Sequence, residues 1–306
     1  MVRLKTAWSI TAVVAFVLLA MVRVPLLAQQ PALADVLAKA GERAAALSDT
    51  TRVLTCEERY KQILERVREL IGFDSGAGNP SGSHSEVSAV GMDSRVWVAE
   101  LVILATPGNQ DVGLPFREFR DVVSIDGKPV RDGQSRLANL AAFSPEVAGF
   151  KALEASQDAS GFLFGRFTRA VDIPRAALLF LHPANQSRFE LKKGGQRTID
   201  GVKTWEIKFK EKVTPTIIRG SGDKDAPSVG SFWVDPETGD VLESYLKSAD
   251  MKEVYDELTV TYRKDPESGL RLPATLVERI MDELAGQRVQ GTATFTKWRS
   301  VPRKKG

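Results

Sequence analysis

The chain has 306 residues, with 42 Lys and Arg against 39 Asp and Glu, two His and one Cys. A single cysteine excludes an intramolecular disulfide, so a packed core must supply stability, and the length suffices for one large domain or two small ones. Two histidines leave little from which to build an imidazole metal centre, and the slight basic excess makes no nucleic-acid surface.

Residues 1–28 read as a secretory signal peptide. Arg3 and Lys5 form a basic n-region, an apolar run extends from Ala7 to Val22, and cleavage is expected after Ala28. The alternative is an uncleaved anchor, because the run falls just short of the roughly 20 residues that span a bilayer. Arg23 and the small residue before Gln29 favour cleavage. The protein is thus expected in the periplasm or secreted, with no transmembrane segment once the signal is removed. Residues 1–28 hold Arg3, Lys5 and Arg23 and no acid, so the remainder is charge-balanced, and no nucleic-acid partner is expected. Only the tail KWRSVPRKKG is locally basic, as a solvated end commonly is.

Residues 29–71 are expected to be an N-terminal helical segment. Leu33, Val36, Leu37, Ala40, Ala44 and Leu47 mark one face at helical spacing. Ile63, Leu64, Val67, Leu70 and Ile71 repeat it after a capping-box pattern at Thr55 and Glu58. The stretch at 51–62 fits helix or strand equally. Cys56, within it, reads as a buried free thiol. Residues 72–92 are Gly/Ser-rich and read as a flexible loop.

From residue 93 to 302 the period changes to two. SRVWVAELVILATPG reads as a long buried strand, and FREFRDVVSIDGKPV follows with an Asp126-Gly127 turn. A helical insert is expected at about 133–182, with Ser144-Pro145-Glu146 opening one helix and the apolar DIPRAALLFLHP closing the insert. Strand then follows strand. Trp205, Ile207 and Phe209 alternate with Glu206, Lys208 and Lys210, so one face must be buried and the other wet. Asp200-Gly201, Pro236 to Gly239 and Pro266 to Gly269 punctuate the hairpins. A meander of this length must curl to bury its apolar face. The fold class expected is α+β, mainly antiparallel β.

Chemistry-bearing motifs are few. His84 and His182 have no Cys cluster or Glu-x-x-His pattern with them, so no metal and no cofactor is expected. No G-x-S-x-G elbow is present, and no catalytic residue is assigned. FDSGAG at 73–78 matches an aspartic-protease loop only superficially, because it lies in Gly/Ser-rich sequence. IIRGSGDKDAPSVGS is Gly-rich but joins two strands, so it is a polar hairpin connection and no phosphate loop. His182, followed by Pro183 and Asn185, reads as a helix stop. Its alternative role is as the polar centre of a hydrolase site, which would need a serine and an acid within reach.

Several of these features together, DGVKTWEIKFKE, GSFWVDPETGDVLESYL, LTVTYRKDPESGLRLPATLVER and GTATFTKW, resemble the LolA-like group of periplasmic proteins, the outer-membrane lipoprotein-sorting carrier fold. The likeness spans roughly 95–300 and is nearest to an uncharacterised secreted bacterial branch. It implies a curved meander sheet, an unclosed half-barrel whose concave face is covered by helices. It also implies a non-enzymatic binding or carrier protein for a lipid, an acyl chain or a lipoprotein-like ligand. The residues expected to line the cavity are Trp97, Leu101, Leu179, Phe180, Trp205, Ile207, Phe209, Phe232, Trp233, Tyr245, Tyr262 and Phe295. Partners would be an apolar small molecule or an acylated protein. A second reading is a cell-envelope interaction scaffold with a protein partner, in which the same aromatics fill a core.

Overall fold

Period-two alternation runs through most of the chain from Arg52 onward, and the strands it encodes form one antiparallel sheet of eleven. The computed structural model describes residues 31–47, 52–71, 85–105, 116–137, 140, 148, 151–152, 174–219, 224–249, 254–282 and 286–302. Contacts divide the chain after Ala32, and every element named below lies in the unit that begins at Leu33. The expected signal peptide, most of the 72–92 loop with His84, and Ser144-Pro145-Glu146 fall outside the described residues.

Helix α1 (Leu33–Ala46) is followed by β1 (Arg52–Ile71), β2 (Ser85–Ala105), β3 (Phe116–Ile125) and β4 (Lys128–Pro129). A short helix α2 (Leu178–Leu181) precedes seven more strands. These are β5 (Phe189–Ile199), β6 (Val202–Glu211), β7 (Ser228–Val234), β8 (Val241–Ala249), β9 (Val254–Lys264), β10 (Arg271–Asp282) and β11 (Gln287–Pro302). The spatial order is β4-β3-β2-β1-β11-β10-β9-β8-β7-β6-β5. Two sequential meanders are therefore joined where β1 pairs with β11, Tyr60 opposite Ala293. The outer strands β4 and β5 do not meet, so the sheet is an unclosed half-barrel.

The expected second helix, from Tyr60 to Ile71, is strand. Leu54, Cys56, Glu58, Tyr60, Gln62 and Leu64 are buried at every second position, the alternation of a strand. Glu58 and Gln62 occupy inward positions usually filled by apolar side chains, which hid that alternation in the sequence. The Thr55…Glu58 pattern caps nothing: Glu58 pairs with Arg120 across the sheet. Residues 85–92, expected within the loop, are also strand and pair with the far end of β1. Asp126-Gly127 and Asp200-Gly201 make the expected turns, all four residues at φ between 48° and 79°.

One face of the sheet, the inner face, holds the main core. That core runs without interruption from Ile103 and Trp97 on β2 to Phe209 on β6, under α1 and α2. Strands about 4.8 Å apart would spread a flat eleven-stranded sheet over roughly 50 Å, far more than two helices cover. Curvature brings the wings together. Val36, Ala40 and Ala44 of α1 supply its apolar stripe, as expected. A separate cluster lies on the opposite, outer face: Val53, Val102, Leu104 and Phe119 under Leu137, Leu140, Ala148 and Ala152. The expected insert therefore divides its work. Leu137, Leu140, Ala148 and Ala152 cover the outer face at the β1–β3 corner, and Ala176 to Leu181 covers the inner face.

Candidate functional site: the inner face and its cover

Alternation carries Trp205, Ile207, Phe209 and Phe232 inward, beside Leu101, Trp97, Tyr262 and Phe295. Leu179 and Phe180 come down onto them from α2, both at or below 3% exposure. Phe180 stacks on Phe189 at 4.5 Å, and Phe209 stacks on Phe232 at 4.8 Å. Trp97 stacks on Tyr60 at 4.7 Å. These rings touch one another and fill the face at that point. Trp233 and Tyr245 were expected with them but lie on the outer face, one position out of phase with Phe232 and Leu246. Trp233 instead carries the Arg197 guanidinium 4.0 Å above its ring.

Polar groups thread this apolar face at defined rungs. Arg120 forks onto Glu58, and Arg175, wholly buried, pairs with Glu118 at 2.7 Å. Burial pushes the Glu118 carboxyl up and the Arg175 guanidinium down, while their mutual attraction opposes both. Tyr60 donates to Glu278 at 2.6 Å, and Tyr262 shares a hydrogen bond with Ser244 at 2.8 Å. Tyr262 also donates to the Pro174 carbonyl, fixing the start of α2, and burial holds its phenol well above the usual range. The indole Nε1 of Trp97 has no hydrogen-bond partner among the described residues. Sequence reasoning missed these acids and arginines. The signal was parity in FREFRDVV, where Glu118, Arg120 and Val122 share a face, and one Arg175 inside an otherwise apolar run.

His182 is the C-cap of α2, as the helix-stop reading expects. Its backbone N–H donates to Leu179 O at 3.3 Å and its Nδ1 accepts from Ala184 N at 3.3 Å. Partial burial lowers its pKa. Among the described residues no serine hydroxyl or carboxylate is hydrogen-bonded to the ring. Asn185 Nδ2 donates to Leu179 O, and Gln186 Nε2 joins Leu181 O to Leu37 O, tying α2 to α1.

The cover is held at its other side by the β7–β8 turn. Asp235 accepts from Glu237 N and Thr238 Oγ1, and Gly239 takes φ 77°. In the similar turn at Asp265 the carboxylate accepts from both the N–H and the hydroxyl of Ser268, and Gly269 takes φ 70°. The first turn touches α1. Lys39 donates to Glu237 O, Arg43 donates to Thr238 O and pairs with Asp240 at 3.2 Å. Beneath these contacts lies a groove with an apolar floor of Ala44, Leu47, Leu178, Val241, Tyr262 and Leu270, closed down to about 30 Å³. That is room for about one water. A wider hollow of about 350 Å³ lies on the outer face, walled by the ion pairs Glu57–Lys297 and Glu100–Arg299.

No family model matches the chain, and no curated protein matches it. Solved structures that match the chain include a LolA superfamily protein from Nitrosomonas europaea, at 9% identity and TM-score 0.33, covering 88% of this chain and 94% of that one. A putative outer membrane lipoprotein-sorting protein domain from Vibrio parahaemolyticus matches at 11% identity and TM-score 0.31, covering 86% and 91%. A DUF1329 family protein from Desulfovibrio piger matches at 11% and 0.30, covering 87% and 93%. Among the described residues no helix is long and apolar enough to cross a membrane.

Proposed function

We propose that this protein is an exported, non-enzymatic binding protein of the cell envelope. It shelters an acyl chain or similar apolar group between the inner face of its sheet and the α1–α2 cover. The observation that carries this reading is the attachment of α1. The helix lies over an apolar floor but is fastened to the β7–β8 turn by exposed, water-replaceable contacts from Lys39 and Arg43. Such contacts cost little to break, whereas each CH₂ taken from water gains roughly 0.8 kcal/mol. A chain of about ten carbons thus outweighs the fastening and remains reversible. The groove holds only about 30 Å³, so loading requires α1 to swing away from Asp240.

The test is to purify the protein from its native compartment, analyse the organic extract, and titrate with N-phenyl-naphthylamine. Saturable dye fluorescence displaced by an acyl amphiphile supports the reading. An extract free of lipid together with absent dye binding overturns it. The stacked phenyl rings favour one second reading, an interaction scaffold with a filled core, and that reading predicts the negative result.

A further inference from the structure

At the β5–β7 end of the inner face, three neighbouring residues each carry a buried polar atom without a hydrogen-bond partner among the described residues. These atoms are Glu211 Oε2, Ser228 Oγ and Arg188 Nε. Glu211 ends β6, opposite Phe189 of β5, and is 4% exposed; Ser228 begins β7 and is 0% exposed. The other carboxylate oxygen of Glu211 is engaged, since Oε1 accepts from Ile217 N at 2.8 Å. The Ser228 backbone N–H also bonds to that carboxylate. Arg188 Nη2 stands 3.9 Å from Glu211 Oε1 and donates to the carbonyls of Val213 and Pro215. Buried polar atoms in folded proteins are nearly always paired, so three orphans in one place point to an absent group.

Their chemistry specifies that group. An ionised carboxylate oxygen only accepts, a guanidinium N–H only donates, and a serine hydroxyl does either. The group must therefore both donate and accept. Glu211 and Arg188 neutralise one another, and the neighbouring Asp225 is paired with Arg219 and hydrogen-bonded to Thr216, so no net local charge recruits an ion. Directly beside the trio stand Phe189 and Phe209, with Phe180 and Phe232 stacked on them.

We infer that Glu211, Ser228 and Arg188 receive the uncharged hydroxyl or amide head of the apolar ligand, whose chain runs beneath the α1–α2 cover. This inference rests on the binding-protein reading above and names its ligand class: long-chain alcohols, monoacylglycerols or acyl amides in preference to fatty acids or amines. Desolvation gives the discrimination, because a carboxylate or an ammonium would surrender its hydration at a site of no net charge and an uncharged head gives up far less.

The experiment displaces N-phenyl-naphthylamine from the full chain with dodecanol, dodecanoate and dodecylamine in turn. Dodecanol should win by about ten-fold over each ion. Ser228→Ala should weaken dodecanol alone, and Glu211→Gln, which leaves Arg188 without its counter-charge, should move the preference toward dodecanoate. Both variants keep the fold within reach because neither changes side-chain volume greatly, and circular dichroism verifies it. Equal displacement by all three amphiphiles overturns the head-group inference and leaves the binding-protein reading standing. Displacement by none overturns both. A ranking unchanged in folded Glu211→Gln also overturns the inference, and leaves the trio as the seat of a structural water only.

Discussion

Two glycines in near-identical turns make the sharpest comparison at the scale of single residues. Gly239 and Gly269 have φ of 77° and 70°, so an L side chain is strained equally at either. A Cβ on Gly269 meets open space, but on Gly239 it would lie 2.5 Å from the carbonyl carbon of Lys39 in α1. Gly269→Ala should cost about 1 kcal/mol, and Gly239→Ala should cost more, with the excess read in urea titration as loss of the α1 contact. Arg175 offers a second prediction. Replacing it with Met removes the direct partner of the buried Glu118 and should cost about 3–5 kcal/mol, while Arg175→Met with Glu118→Leu should recover most of that. A third concerns pH. Burial holds the Glu211 carboxyl above its ordinary 4.5, ahead of the opposing hydrogen bonds. The folded state therefore binds that proton more tightly than the unfolded chain, and the stability it lends is present below 4.5 and lost as pH rises through the raised value. Relative to wild type, Glu211→Gln should gain stability as pH rises above 4.5. A flat difference across that range would show the carboxyl to be unperturbed.

At the scale of elements, α1 behaves as an appended part. It pairs with no strand, and Ala40, fully buried, sits at the centre of its stripe. Ala40→Asp should detach the helix and leave the sheet standing. Hydrogen exchange would then quicken in Leu33–Ala46 and stay slow in β6 to β10. Exchange that quickened everywhere would make α1 part of the cooperative core. This helix was legible in the sequence because its apolar spacing has no competing period. The hairpins from β5 to β11 were legible for a similar reason, with Trp205, Ile207 and Phe209 inward and Asp-Pro-Glu turns between strands. Strand β1 was not, because its inward row mixes Cys56, Glu58 and Gln62 with apolar residues, and because Ile63, Leu64, Val67 and Leu70 mimic a helical stripe. The candidate site suffered the same ambiguity. Glu58, Arg120, Glu211 and Ser228 are polar residues at inward positions, and sequence assigns such residues to solvent until pairing fixes their parity. Trp233 and Tyr245 erred in the other direction, as aromatics on the outer phase.

For the whole molecule, Cys56 is a built-in reporter. It is 1% exposed on β1, and burial, then the Glu58 charge, pushes its thiol well above 9.0. Ellman's reagent should label the native protein at the rate of global unfolding and not at the rate at which α1 opens. Labelling accelerated by Ala40→Asp alone would contradict this. The overall architecture was readable as a long curling meander, but the order of its strands was not. Hydrophobic phase says which way a strand faces and nothing about which distant strand lies beside it. That is why the pairing of β1 with β11, Arg52 opposite Pro302, could come only from the structure. This seam has a temporal meaning. At roughly 5–20 residues per second, the partner of β1 emerges from the ribosome tens of seconds after it. During that interval β2 can satisfy one edge of β1, while the other stands open with an incomplete ladder of hydrogen bonds. A nascent chain of this protein thus carries an exposed β edge until β11 has been made.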